Sequence, residues 1–211
     1  YGAKNGNYSF VDYIENHYDF KEVVNAGEND YRVSTYQRPN KWLGNEVINH
    51  LDDSDYDYVI MQGGVNDALV NTPLGELSST YDSLLDTDTF YGGLEAYIRY
   101  VIGKWENAKI GYIINYYTPN YSEKGNVYSY EHYKEYYDAI KKTLLKYNIP
   151  FLDLFEGKIG INSFSNILSV DTDTYLSDDL HLNDEGYNQI APYIYEWISN
   201  LNNYEKLTTK N

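Results

Sequence analysis

Apolar residues recur along this chain in two alternating rhythms. Leu94, Tyr97, Ile98, Val101, Ile102 and Trp105 fall on one helical stripe, and Tyr133, Tyr137, Ile140, Leu144 and Tyr147 follow a 4-3-4-3 spacing. Such spacings bury one face of a helix. Val11 to Tyr18, the Trp42, Leu43, Val47, Ile48 set, and Tyr187, Ile190, Ile194, Ile198 and Leu201 predict three more helices, the last capped by Asn183 or Asp184. Between them lie short apolar runs of strand type at 20–25, 56–62, 109–116 and 149–154. Polar residues after Leu207 predict a frayed tail.

Strands alternating with helices imply crossover connections, and hence a parallel sheet covered on both faces. The expected fold is a three-layer α/β sandwich with a flavodoxin-like parallel sheet, carried by one domain over 1–203 with a polar tail over 204–211. In flavodoxin-like sheets the strand order 2-1-3-4-5 puts the first strand inside. Nothing strand-like occurs in Tyr1 to Asn7. If the four runs are the second to fifth strands, a central strand precedes Tyr1; otherwise the first helix is no crossover and the sheet has four strands.

Composition narrows the partners. Lys and Arg number 16 against 32 Asp and Glu, a net charge of −16. So acidic a surface repels phosphate backbones and anionic lipid heads, which disfavours nucleic-acid binding. Cysteine is absent, which excludes thiol nucleophiles, thiolate metal sites and disulfides from this chain. No stretch is long and apolar enough to predict a membrane span. Tyrosine is abundant, at 27 residues, and suits both cores and wet stacking surfaces.

Three loops at predicted strand ends or before the last helix carry chemistry: Asn25-Ala26-Gly27, Gly63-Gly64-Val65-Asn66-Asp67 and Asp178-Asp179-Leu180-His181. Ligands bind at such carboxyl ends in open α/β sheets. The Gly27 N–H and the Asn66 amide can together hold an oxyanion. His181 can act as general base, with Asp178 orienting its ring. Asp171-Thr172-Asp173 fails as a calcium loop because Leu176 and Leu182 stand where Gly and Glu are required, and Asp53-x-Asp55-x-Asp57 fails likewise at Tyr58. His17, His50 and His132 lack metal-ligand spacing and read as surface or packed histidines.

These blocks, in this order, resemble the SGNH hydrolases, also called GDSL esterases. The resemblance runs from Tyr1 to about Ile198. Gly64-Val65-Asn66-Asp67 matches the family's third block in full, Asp178-Asp179-Leu180-His181 its last, and Asn25-Ala26-Gly27 its second, although Asn29-Asp30 replaces a second glycine. The first block, Gly-Asp-Ser, carries the nucleophile and is absent; Tyr1-Gly2 looks like its tail. No serine here sits in a Gly-x-Ser-x-Gly turn, and Ser9 opens the first helix. The resemblance therefore implies a serine and a first strand upstream of Tyr1.

It further implies a serine esterase with His181 as base, Asp178 as its orienting partner, and Asn66 and the Gly27 N–H in the oxyanion hole, needing no metal or organic cofactor. The Tyr-rich, polar 116–121 loop favours a carbohydrate ester with a short acyl group such as acetyl. Export or the cell surface is slightly favoured over the cytoplasm, with any signal peptide lying upstream of Tyr1. Lysophospholipase or thioesterase action, or an inactive glycan-binding relative, are the alternatives.

Overall fold

The structure, a computed structural model, describes residues 8–49, 55–119, 121–123, 126–159 and 162–203. Tyr1, Gly2, His50, Asp53, Asn120 and the expected tail lie outside the described residues. In chain order the elements are α1 (Phe10–His17), α2 (Leu43–Asn49), β1 (Tyr58–Gln62), α3 (Val65–Leu69), α4 (Phe90–Lys104), β2 (Lys109–Ile114), β3 (Ser122–Glu123), β4 (Asn126–Val127) and α5 (Tyr130–Lys146). There follow β5 (Phe151–Asp153), β6 (Lys158–Ile159), β7 (Asn162–Ser163), α6 (Phe164–Val170), α7 (Thr172–Tyr175) and α8 (Asp184–Asn200), with 3₁₀ turns at Pro39–Lys41 and Leu201–Asn203.

The chain forms two compact units, each assembled from separate segments. One contains Asp30–Asn115, Glu131–Phe151 and Leu201–Asn211. Its centre is the parallel pair β1 and β2, in register from Tyr58 opposite Lys109 to Gln62 opposite Ile113. β5 continues the sheet in the order β1-β2-β5, and the chain leaves this unit just after β5 begins. Gly111 to Ile114 are all buried, as expected of a strand covered on both faces. Phe90, Leu94, Ile98 and Val101 of α4 and Tyr133, Tyr137, Ile140 and Leu144 of α5 supply the helical side of the core. The predicted stripes are thus the buried faces.

The other unit contains Tyr1–Asn29, Tyr116–Tyr130 and Leu152–Asn200. Here α1 packs on α8, with the Tyr18 ring stacked on Tyr195 and Tyr8 meeting Tyr187 edge-on. Ser9 caps α1 in a reciprocal box: its Oγ accepts from Val11 N–H at 3.2 Å, while its own N–H donates to Asp12 Oδ2 at 2.8 Å. Replacing Ser9 by Ala is expected to cost about 1 kcal/mol, read as a Tm roughly 2–4 °C lower by calorimetry. An unchanged Tm would refute the cap's contribution.

One expectation is corrected. Residues 20–25 form no strand, and Val24 is 47% exposed. A strand exists through its partner's hydrogen bonds, and no described strand pairs with this segment. The helices α6 and α7 and the two-residue strand pairs β3–β4 and β6–β7 have no counterpart in the expectations; all are too short to show a period. His17 is an exposed surface histidine stacked on Tyr13, while His132 is packed, with Nε2 2.8 Å from the Ala68 carbonyl oxygen.

Candidate active site

Asp178 and His181 come together in the loop between α7 and α8. Leu176 and Leu182 form an antiparallel bridge that closes the loop. Its two rungs are Ser177 N–H to the His181 carbonyl and Asn183 N–H to the Tyr175 carbonyl, both 2.9 Å. Asn183 is the cap of α8: its Oδ1 accepts from Gly186 N–H at 3.0 Å, and its Nδ2 donates to the Thr174 carbonyl at 2.9 Å. One residue thus anchors both the helix and the base of the loop.

Inside the loop the Asp178 carboxylate gathers three donors. Oδ1 accepts from Leu180 N–H at 3.0 Å and His181 N–H at 2.6 Å, and His181 Nδ1 lies 2.9 Å from Oδ2. Partial burial pushes the Asp178 carboxyl up, but the bonds from His181 and Leu180 outweigh it and hold it below its ordinary value. An ionised carboxylate at Nδ1 fixes the tautomer with the proton there, which puts the basic lone pair on Nε2. That is what a general base requires.

The Gly63–Asp67 block lies in the sheet-bearing unit, at the turn from β1 into α3. Gly64 has φ +99°, a conformation only glycine adopts cheaply, and an added Cβ would lie 3.0 Å from Ile140 Cδ1. This turn directs two neighbouring side chains at one strap, residues 31–34. Asn66 Nδ2 donates to the Tyr31 carbonyl at 2.9 Å, and its second amide hydrogen has no partner among the described residues. Asp67, fully buried, accepts from Val33 N–H at 2.9 Å, Ser34 N–H at 3.1 Å and Ser34 Oγ at 2.5 Å. Burial pushes its carboxyl up to about 6, opposed by these bonds and by the Arg32 charge. The strap is tied on its other side by Arg32 N–H to the Lys41 carbonyl and Trp42 Nε1–H to the Val33 carbonyl.

Gly27 belongs to the unit of Asp178 and His181. Its N–H donates to Asn25 Oδ1 at 3.1 Å, a local turn that must open before this N–H can serve an oxyanion. In the loop expected to meet sugar, Tyr116 and Tyr117 make internal contacts instead. Tyr116 Oη donates to the Leu180 carbonyl at 3.3 Å, and the Tyr117 ring meets Tyr130 and Phe155 edge-on. Sequence patterning placed Tyr116 in a loop expected to meet sugar and assigned no role to Asp67 or to the 31–34 strap. The Gly-x-Asn-Asp block did contain Asp67, but its partners lie more than thirty residues away.

Comparisons with known proteins give the family and the fold. The pattern of the GDSL-like Lipase/Acylhydrolase family matches residues 1–189. A crystal structure 24% identical superposes with a TM-score of 0.72, covering 90% of this chain and 85% of its own. A Lactobacillus plantarum protein, 19% identical, gives 0.71 over 90% and 87%. A protein described as a possible lipase from Chitinophaga pinensis, 16% identical, gives 0.61 over 92% and 87%. At these identities the structures speak for the fold alone. No curated protein is similar enough to count as a match. Fold and family together define the class: a parallel-sheet α/β protein of an ester-hydrolysing family. The chain belongs to the GDSL-like Lipase/Acylhydrolase family. No helix among the described residues is long and apolar enough to cross a membrane.

Proposed function

We propose that this protein removes acetyl or similarly short acyl groups from a carbohydrate by serine ester hydrolysis. The observation that carries the reading is the Asp178–His181 couple, with Nδ1 held 2.9 Å from a carboxylate kept ionised by its donors. His181 Nε2 takes the proton of the serine hydroxyl as that oxygen attacks the ester carbonyl. The family resemblance assigns the developing oxyanion to the Asn66 amide and to the Gly27 N–H, the latter once freed from Asn25. His181 then returns the proton to the departing sugar oxygen, and water repeats the cycle on the acyl-enzyme. The polar, Tyr-rich chain favours a hydroxylated alcohol over a long acyl tail.

Asn66→Ala is expected to lower kcat about 100- to 1,000-fold, the usual effect of losing one oxyanion donor, while KM changes little. An effect confined to KM would remove Asn66 from the oxyanion site. The substrate class is tested by steady-state kinetics of the full-length protein on acetylated xylo-oligosaccharides, p-nitrophenyl palmitate, a lysophospholipid and an acyl thioester. The expected result is the highest kcat/KM on the acetylated sugar. Preference for a long-chain or thioester substrate would overturn the carbohydrate reading, and no turnover, with no serine labelled by a fluorophosphonate, would overturn ester hydrolysis.

A further inference from the structure

Tyr116 holds His181 through the peptide group that precedes it. The Leu176–Leu182 bridge has its two rungs at Ser177 N–H to His181 carbonyl and Asn183 N–H to Tyr175 carbonyl. Between the bridge ends, residues 177–181 form a bend that carries Asp178 and His181. The Tyr116 hydroxyl reaches into it and donates to the Leu180 carbonyl at 3.3 Å. The phenol therefore holds the peptide group that joins Leu180 to His181.

The phenol is suited to this use. Burial, and then the neighbouring Tyr187, push its pKa far above the ordinary value, so it stays a neutral donor at any physiological pH. Its ring is steadied edge-on by Phe164, itself fully buried, at a centroid distance of 5.5 Å. Asp178 fixes the imidazole ring but is half exposed and bonded only within its own loop. Something outside the loop must fix the backbone on which both are carried, and Tyr116 is the side chain that reaches in to do so.

We propose that Tyr116 is a positioning residue for His181, clamping the Leu180–His181 peptide group so that the Asp178–His181 couple is presented in one orientation. This rests on the reading of His181 as the base. The clamp sets where Nε2 points without touching substrate, so its loss should fall on kcat and leave KM alone.

The test is Tyr116→Phe, which keeps the ring on Phe164 and removes only the hydroxyl, beside His181→Asn. With p-nitrophenyl acetate, Tyr116→Phe is expected to lose about 10- to 100-fold in kcat at unchanged KM, the scale of a small misplacement of a reacting group. Hydrogen exchange should show the His181 amide, in the peptide group the phenol holds, losing protection while the Ser177 and Asn183 amides keep theirs. The downfield imidazole proton signal of His181 should broaden. Wild-type kinetics and exchange in Tyr116→Phe, with His181→Asn inactive, would overturn the role of Tyr116 alone. Full activity in His181→Asn would overturn the base reading and this role with it. Rapid exchange of the His181 amide in the wild-type protein would overturn the clamp whether or not the variant folds.

Discussion

His181→Asn is expected to lower kcat on an acetyl ester by about 10²- to 10⁴-fold, the range a positioned general base contributes. Asparagine keeps a polar side chain in the loop but offers no basic nitrogen at the Nε2 position. The Ser177 N–H bond to the residue 181 carbonyl and the Leu176–Leu182 bridge use only backbone, so the loop should survive. Asp178→Asn should cost less on its own. It leaves an imidazole in place but without a carboxylate at Nδ1 to choose its tautomer. The double variant should be no worse than His181→Asn, because Asp178 acts only through that ring. Measurement of kcat and fluorophosphonate labelling rates for the three variants decides the matter. Additive losses would mean that Asp178 has a task apart from His181.

The largest expected effect on stability belongs to Asp67. Asp67→Ala leaves the buried N–H groups of Val33 and Ser34 without their acceptor, at roughly 1–3 kcal/mol each, and leaves buried Arg32 without its nearby negative charge. A total loss of about 3 kcal/mol or more is expected, measured by urea unfolding. Asp67→Asn separates charge from shape. Burial raises the folded-state carboxyl from 3.8 to about 6, so the folded protein holds this proton more tightly than the unfolded chain does. The resulting stability is complete below about pH 4 and is lost as pH rises through about 6. A shift of this size corresponds to about 3 kcal/mol. Asp178 and Glu95, whose carboxyls are held low, act with the opposite sign and lose their contribution as pH falls. Because both proteins share them, they cancel in the comparison. The stability of wild type minus that of Asp67→Asn should therefore decline between about pH 4 and 7. A flat difference would show that the strap's bonds offset the burial entirely.

The sequence was legible wherever a signal was local. The stripes on α4, α5 and α8 are the faces that became core, since helical spacing and burial are the same fact seen twice. The Asp178–His181 couple was legible for a similar reason. Three residues of spacing across a tight loop leave carboxylate and imidazole within reach of each other. Residues 20–25 misled because an apolar run states only that a segment can be a strand; the neighbour that makes it one is elsewhere. The roles of Asp67 and Tyr116 stayed hidden because their partners are remote: Val33 and Ser34 for one, Leu180 for the other. Neither pairing leaves a period or a motif to read.

The packing of α1 on α8 has a consequence for how the chain is made. The helix at residues 10–17 has its partner at 184–200, and in the other unit the turn at 201–203 lies against β2. On the ribosome, then, neither unit can reach its final contacts until nearly all of the described chain has emerged. Such high contact order slows folding and leaves apolar helix faces uncovered during synthesis. The nascent chain up to about residue 180 is therefore a natural client for chaperones, and a ribosome stalled late in the message would yield a product with both units unfinished.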